Sequence, residues 1–466
     1  MTTTDKRRPQ RLAGYAPWRT SLLWVLRWLG RERPVFGGCP TLATLVAIGG
    51  LSLIGATWPL WTPQTDFPQV PWFAAAGMLS SSWQWTLLAT LAGSLLGVLL
   101  LPAHSQRRRA ALLLAAAAFI ALVLPDQHRF QPWAYEFMLL TLCIALVRPR
   151  RAIALIRLLV ISIYVYSGLS KLDYTFLHTI GTQLLEAGAK LVGQGTDGWN
   201  ESTLAAAALV FPVGELAVGL GLCVRRVRRP ALFASLLLHL ATIILLGPWG
   251  LHHKPGVLIW NVYFLLQNLI LFGPPGWPRE FIVARQPATQ DATQRRRFAS
   301  ARLIRQPARI GEAAVTMLLL TVVILPAAEP WGWFDLWPGW GLYAPSNEQT
   351  QLYLHPDDVE RLPWSIRSKF TAANSDGFCR LRMQTWSLTE LDAPIYPQQR
   401  FGLGVAIGVV ERFRPRRPWR IVLESRAHRL TGERGEVTLN SLPAAREYAS
   451  RYWLGALPAN NLYSFR

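Results

Sequence analysis

Three polar side chains, Tyr164, Ser167 and Lys171, are spaced three and four residues apart in the apolar stretch IRLLVISIYVYSGLSKLDYTF, residues 156–176. On an α-helix this spacing places them on one face, with Gly168 beside them. The stretch is long enough to cross most of a bilayer, so it predicts an ammonium at membrane depth. Ionisable groups at that depth are costly and usually face a cavity or a partner, which makes Lys171 a candidate functional residue. The alternative is a lysine that snorkels to the head groups.

An amine in this position could serve as a base. A dry, apolar setting disfavours the charged form of lysine, and enzymes use burial to obtain a neutral amine that accepts protons. Asp173 would oppose this effect by pairing with Lys171, although residues two apart on a helix need not face each other. The following segment, DYTFLHTIGTQLLEAGAKLVGQGTDGW, is amphipathic and broken by glycines. It predicts a re-entrant or interfacial lid beside Lys171.

Other ionisable or polar side chains interrupt apolar runs. They are Glu136 in WAYEFML, Glu215 in VFPVGELAVGLGL, His239 in LFASLLLHLATIILL and Asn261 in GVLIWNVYFLLQNLILF. Each alone is explained by hydrogen bonding between helices, but together with Lys171 they indicate a polar site inside a bundle. We expect Glu215 to lie opposite a cation, because a buried carboxylate needs a partner.

A turn with the sequence DQHRFQPW precedes Glu136 and brings Asp126, His128 and Arg129 to the membrane end at which Lys171 is expected. Two interpretations are open. The turn is either an ordinary solvated connection or part of the same polar site.

Long apolar runs with basic residues between them recur along the chain, and 51% of its 466 residues are hydrophobic while 16% are charged. This composition is typical of a polytopic helical membrane protein. About nine spans are predicted, at residues 41–57, 84–101, 110–125, 133–147, 152–171, 202–223, 230–247, 256–273 and 310–328.

The distribution of basic residues predicts the orientation. The net charge is +21, and Lys and Arg number 26 in the N-terminal segment and alternate loops but only 4 in the other loops. By the positive-inside rule this asymmetry predicts a cytoplasmic N-terminus and an extracytoplasmic C-terminal domain, with Lys171 at the outer surface. It argues for the lipid bilayer as the partner and against nucleic acid.

Three regions are predicted: a basic cytoplasmic segment at 1–40 with an interfacial helix at 18–30, a transmembrane bundle at 41–328 and a small extracytoplasmic α+β domain at 329–466. In the last, we expect a helix in HPDDVERLPWSIRSKF, strands in RLRMQTWSL, FGLGVAIGVVERF and WRIVLES, and a closing helix in PAAREYASRYWL. The four cysteines form no CxxC motif or disulfide framework, and no metal is expected.

The stretch IYVYSGLSKLDYTF resembles the signature Y-x-x-x-G-x-x-K-L-D of the vitamin K-dependent gamma-carboxylase family and of its bacterial relatives, the HTTM (horizontally transferred transmembrane) proteins. The similarity covers roughly residues 120–350 and is specific around Lys171. By this resemblance Lys171 takes the place of the base that initiates vitamin K oxidation. Tyr164 or Tyr166, Gly168 and Asp173 surround it.

The resemblance also implies a second catalytic residue and a set of substrates. His239 corresponds to the family's histidine-bearing helix. The implied activity is oxidation of reduced vitamin K or another quinol, with dioxygen and carbon dioxide as co-substrates and with or without carboxylation of glutamate in an extracytoplasmic protein. The implied location is the bacterial inner (plasma) membrane.

Two classes of function remain open. The first is the carboxylase-like enzyme that uses Lys171. The second is a non-catalytic membrane module that binds a lipid, a quinone or a partner protein, as the G-x-x-K-L helix of DoxX-like modules suggests. The enzyme predicts a cavity open to lipid with Lys171 near His239, Asn261 or Glu136, whereas filled packing around the lysine favours the module.

Overall fold

The computed structural model describes residues 38–273 and 309–459. The predicted interfacial helix at 18–30 and most of the basic loop at 274–309 lie outside the described residues. The described part is mainly helical and contains one small sheet.

The first part of the chain is entirely helical apart from its connections. Its α-helices are α1 (Cys39–Ala56), α2 (Trp58–Trp61), α3 (Ser81–Leu100), α4 (Gln106–Val123), α5 (Pro132–Leu146), α6 (Pro149–Ser170), α7 (Tyr174–His178), α8 (Ile180–Leu191), α9 (Glu201–Ala208), α10 (Val210–Cys223), α11 (Arg228–Leu246), α12 (Pro255–Phe272) and α13 (Arg309–Ile324). Short 3₁₀ segments lie at Ala74–Met78, Gln127–Arg129 and Leu325–Trp331.

Seven helical segments of the described chain are long and apolar enough to cross a membrane. They are α1, α3, α6, α9 with α10, α11, α12, and α13 with the 3₁₀ segment that follows it. This set fits a membrane-embedded protein, as the composition predicts.

Helices stand at all nine positions where spans are predicted, but two of them fall outside that set of seven. α5 has only 15 residues, and α4 opens with three arginines in its first four positions. α5 packs against α1, α4, α6 and α13, so it lies within the bundle. Whether α4 and α5 cross the membrane, which would make nine spans, stays a prediction.

The C-terminal part contains an antiparallel sheet with the strand order β2-β1-β3-β4. The strands are β1 (Gln349–Leu354), β2 (Cys379–Arg380), β3 (Trp419–Glu424) and β4 (Glu436–Leu439), and the helices are α14 (Pro356–Glu360), α15 (Trp364–Arg367), α16 (Met383–Glu390), α17 (Gln399–Phe413) and α18 (Leu442–Ala449). Leu352 of β1 pairs with Ile421 of β3, and α17 packs on both strands.

Two predicted strands in this part are wrong. FGLGVAIGVVERF forms α17, and every residue from Gln399 to Val410 is buried. A segment that is apolar on all sides shows neither the helical nor the strand periodicity. Its β-branched residues then favour the prediction of a strand, although the segment is a helix. RLRMQTWSL contributes only Arg380 to β2, and its remaining residues lead into α16. Two other predictions are confirmed: WRIVLES forms β3, and PAAREYASRYWL contains most of the closing helix α18. The helix predicted at 355–370 is two short helices with Pro363 between them.

The C-terminal part covers one end of the bundle. Each loop predicted to share a side with Lys171 makes a polar contact with the C-terminal part: Thr65 accepts from Arg412 (2.8 Å), His128 contacts Pro394 (3.0 Å), the Tyr174 amide donates to Arg429 (2.7 Å) and Lys254 pairs with Asp392 (2.7 Å). These contacts place the four loops beside the C-terminal part, while the alternation of loops across a membrane stays a prediction. Which side of a membrane they occupy stays a prediction.

Gln127 joins the loop after α2 to residues 455–459. Its side-chain amide donates to the carbonyls of Pro71 (3.0 Å) and Gly455 (2.6 Å). In turn, the Gly455 amide donates to Trp72 (2.7 Å), and the Ala459 amide donates to Gln69 (2.9 Å). Strand-like backbone pairing thus holds two segments together that are far apart in sequence.

Candidate functional site

Lys171 follows the last residue of α6, and its side chain folds back onto its own helix. The ammonium donates to Ser167 Oγ at 2.6 Å and to both carboxylate oxygens of Glu215, at 2.9 Å and 2.7 Å. The residue is only 4% exposed. It therefore does not snorkel, and the cation expected opposite Glu215 is Lys171.

Close packing of α6 against α10 brings Glu215 to Lys171. A Cβ at Gly168 would stand 2.8 Å from Leu216 Cγ and 2.9 Å from the carbonyl oxygen of Pro212. A Cβ at Gly219 would meet Tyr164 and Val165 at 3.0 Å. Because two glycines lie at the crossing, the backbones approach closely, as small residues permit in membrane bundles.

An apolar cavity of ≈ 700 Å³ lies between α10 and α11, with Lys171 and Glu215 in its wall. The two helices touch near their connecting turn, where a Cβ at Gly221 would stand 2.8 Å from Ala231 Cβ. From there the wall consists largely of small and aliphatic side chains, among them Gly214, Ala217, Ala234, Leu238, Ala241 and Leu245. The Lys171–Glu215 ion pair is thus the charged part of an otherwise apolar cavity wall.

His239 belongs to a separate hydrogen-bonded chain in the bundle interior. Asn268 Nδ2 lies 2.6 Å from the Tyr164 hydroxyl, which lies 2.5 Å from His239 Nε2. His239 Nδ1 lies 2.7 Å from Asn261 Oδ1. Because Asn261 Oδ1 can only accept, Nδ1 carries the proton of His239 and Nε2 accepts from the Tyr164 hydroxyl.

The cavity and the hydrogen-bonded chain through His239 both involve α6, but different residues of that helix take part in each. Tyr164 lies two helical turns before Lys171 on the same face, which confirms the predicted stripe of Tyr164, Ser167 and Lys171. Within the described chain, neither His239 nor Asn261 hydrogen-bonds to Lys171. The hydrogen bonds of Lys171 go to Ser167 and Glu215 instead, and the predicted position of the lysine near His239, Asn261 or Glu136 stays a prediction.

Three other predicted site residues have partners of their own. The Tyr166 hydroxyl donates to the carbonyl of Val323 at 2.9 Å, so it points away from the cavity. Asp173 accepts from the Phe176 amide at 2.8 Å and caps α7 instead of pairing with Lys171. Glu136 is fully buried, and one of its oxygens accepts from Trp260 Nε1 at 2.9 Å.

The turn that contains His128 is buried, so its interpretation as a solvated connection is wrong. His128 Nε2 lies 3.0 Å from the carbonyl of Pro394 and 3.1 Å from Ser387 Oγ, and Asp126 accepts from the His128 amide at 3.1 Å. Burial lowers the pKa of His128 to about 4 and raises the pKa of Asp126 to about 6. This turn attaches the C-terminal part to the bundle and does not line the cavity.

The predicted lid forms two helices, and both Phe176 of α7 and Leu184 of α8 line the cavity. Tyr343, which sequence reasoning missed, closes the cavity from the C-terminal part. Its backbone has a φ of 58°, in the left-handed region that few non-glycine residues adopt. The only signal in the sequence is the dense Trp, Gly and Pro turn WPGWGLY that leads to it.

Comparisons of the chain with protein-family models, with curated proteins and with solved structures give no significant match.

Proposed function

We propose that this protein is a membrane enzyme that oxidises a lipid-soluble quinol, with Lys171 and Glu215 acting together on a quinol hydroxyl. The observation that carries the proposal is the buried Lys171–Glu215 pair in the wall of an otherwise apolar cavity. The family resemblance of the Lys171 stretch supports the same class of substrate.

The dimensions and chemistry of the cavity suit such a ligand. A volume of ≈ 700 Å³ falls within the range of about 300–1,000 Å³ typical of small-molecule sites. A quinol has a flat apolar ring with hydroxyl groups and an apolar tail, so the hydroxyls match the ion pair and the tail matches the aliphatic walls. Val210, Leu237 and their exposed neighbours face outward between α10 and α11, which offers a route from the lipid phase.

The pairing changes the role expected of Lys171. An ammonium held against a carboxylate is a poor base, whereas Glu215 can accept the proton of a quinol hydroxyl. The O–H bond breaks, the proton moves to a Glu215 oxygen, and the Lys171 ammonium stabilises the oxygen anion that remains. Reaction with dioxygen then gives the quinone epoxide and water, which balances the atoms of quinol and dioxygen.

Glutamate carboxylation is an optional second half of this activity. In the resembling family, oxidation of the quinol generates a strong base that removes a carbon-bound proton from glutamate, and carbon dioxide captures the carbanion. Reduced vitamin K is the corresponding quinol. With the proposed orientation in a bacterial inner membrane, the substrate protein would be extracytoplasmic.

One observation favours the alternative of a non-catalytic module. The Lys171 ammonium already has hydrogen bonds to Ser167 and to both oxygens of Glu215. An ammonium whose hydrogen bonds are all made within the protein can hold α6 against α10 without taking part in a reaction. On this alternative, the cavity binds a lipid, a quinone or a segment of a partner protein.

The deciding experiment measures epoxide formation from reduced vitamin K by the full-length protein in proteoliposomes. We expect Lys171→Met and Glu215→Gln to reduce the rate by at least about 100-fold, the usual contribution of a positioned acid or base. Lys190→Met is the matched control, because Lys190 is an exposed lysine of α8 outside the cavity. Its rate should equal that of the unaltered protein.

A folding control is necessary, because removing one partner of a buried pair leaves the other charge uncompensated, at a cost of about 3–5 kcal/mol. The double variant Lys171→Met/Glu215→Gln removes both charges and should melt near the unaltered protein while remaining inactive. Saturable quinone binding without any epoxide formation by the unaltered protein would reject the enzyme and support the module.

A further inference from the structure

A second cavity, of ≈ 490 Å³, lies at the opposite end of α6 from Lys171, between the first turns of α6 and α13. The 22 residues of α6 separate the two sites by about 33 Å. The lining residues are Arg148, Arg151, Arg309, Glu312, Ala313, Thr316 and Met317. This cavity plays no part in the proposed oxidation.

Positive charge exceeds negative charge in this cavity. Glu312 pairs with Arg148 at 2.9 Å and with Arg151 at 3.5 Å, while Arg309 has no ion pair among the residues the structure describes. Three guanidinium groups therefore line the cavity beside a single carboxylate, which pairs with two of them. The side chain of Glu312 is only 7% exposed, whereas those of Arg148 and Arg151 are 59% and 36% exposed, so the carboxylate lies beneath the cations.

Guanidinium groups in such an arrangement suit a phosphate. Each offers planar paired donors that match phosphate oxygens, and an anion above Glu312 would replace the missing negative charge. The cavity also adjoins the N-terminal turn of α6, whose dipole adds a smaller attraction for an anion.

The surroundings favour a phosphate that belongs to a lipid. Ile310, Met317 and Ile324 recur every seven residues along α13 and are 84%, 64% and 62% exposed. They form an apolar stripe that begins beside the cavity and runs along a helix apolar enough to cross a membrane. An acyl chain can lie on this stripe while its head group occupies the cavity, a geometry that free phosphate does not use.

We propose that the cavity formed by Arg148, Arg151, Arg309 and Glu312 binds the head-group phosphate of an anionic phospholipid. The acyl chains lie along the Ile310, Met317 and Ile324 stripe of α13. This inference does not depend on the quinol chemistry at Lys171, because it rests on different residues at the other end of the bundle.

The test uses the full-length protein in nanodiscs of phosphatidylcholine with a labelled phosphatidylglycerol as the probe. We expect Arg309→Gln and Arg151→Gln to weaken phosphatidylglycerol binding about tenfold each, the usual effect of losing one charge-assisted contact. Arg309→Gln breaks no ion pair of the described residues, so a folding defect is not expected to interfere. Arg150→Gln is the matched control, since Arg150 is an exposed arginine on the same turn that does not line the cavity.

The outcomes distinguish a lipid site from general surface charge and from a site for a soluble anion. Equal losses in Arg150→Gln and Arg309→Gln would overturn the proposal in favour of general surface charge. A parallel titration of inorganic phosphate in neutral detergent tests the soluble anion. Phosphate binding that depends on Arg309, without any preference for phosphatidylglycerol over phosphatidylcholine, would also overturn the lipid assignment.

Discussion

At the scale of single residues, Lys171 and Glu215 show both the reach and the limit of sequence reasoning. Spacing on one helix and charge within apolar runs predict that each is a site residue, and that Glu215 needs a cation. Their pairing across 44 positions depends on where α6 and α10 cross, which no local pattern contains. The carboxylate then takes over the role of base expected for the lysine in the proposed chemistry.

His128 and Asp126 carry opposing proton linkages in the turn between α4 and α5. Folding lowers the pKa of His128 from 6.5 to about 4, so the unfolded chain binds more protons in that window and this contribution to stability falls on acidification. Folding raises the pKa of Asp126 from 3.8 to about 6, so the folded chain binds more protons and this contribution rises on acidification.

We expect variants of these two residues to respond oppositely to pH. Between about pH 7 and pH 5, His128→Gln should gain stability relative to the unaltered protein and Asp126→Asn should lose it, each by on the order of 1–2 kcal/mol. Gln retains a donor for Pro394, and Asn retains an acceptor for the His128 amide. Melting temperatures in detergent at the two pH values provide the measurement, and parallel shifts in both variants would contradict the expectation.

At the scale of elements, the contact of α6 with α10 is the one on which the candidate site depends. Gly168→Ala places a methyl group against Leu216 and the backbone of Pro212, and overpacking of this kind costs about 1–3 kcal/mol. We expect a lower melting temperature and a displaced Glu215. The proposed quinol oxidation by the Lys171–Glu215 ion pair should fall accordingly.

Gly93→Ala is the control for this prediction, because a Cβ at Gly93 of α3 meets nothing within 4 Å. It should leave stability unchanged or raise it by about 0.5–1 kcal/mol through helix propensity alone. If Gly168→Ala behaves as Gly93→Ala does, the helices tolerate separation and the close crossing is not required.

The predictability of elements differs between the two halves of the chain. Long apolar runs bounded by arginines give helices at all nine predicted positions, because length and composition suffice there. In the C-terminal part, α17 is buried on every side, and its sequence predicts a strand. Its helical state is decided by packing on β1 and β3, which comes from residues far away in sequence.

At the scale of the whole molecule, the wall of the ≈ 700 Å³ cavity comes from Lys171, α7, α8, α10, α11 and the C-terminal part together. Sequence reasoning predicts a cavity beside Lys171 but not its walls, since these follow from the divergence of α10 and α11 beyond Gly221. Sequence reasoning also places His239 near Lys171. In the structure His239 hydrogen-bonds to Tyr164, whereas Lys171 hydrogen-bonds to Glu215.

Filling this cavity should abolish ligand binding without disturbing the ion pair. We expect Ala234→Trp to weaken binding of a quinone analogue at least about tenfold, or 1.4 kcal/mol. The matched control is Leu240→Trp, on an exposed position of the same helix outside the cavity wall. Ligand-induced stabilisation against heat is the measurement, and equal affinities for the two variants would exclude this cavity as the binding site.

The contacts of Gln127 with Pro71 and Gly455 bear on how the protein is made. The loop at 69–72 emerges from the ribosome hundreds of residues before Gly455 and Ala459, yet it takes backbone hydrogen bonds from both. Until those late residues are synthesised and brought beside the loop, Gln69 and Trp72 lack these partners. Final assembly of the mature protein is therefore a post-insertion event, and a premature stop codon before position 455 would leave an early loop unfinished and open to quality-control proteases.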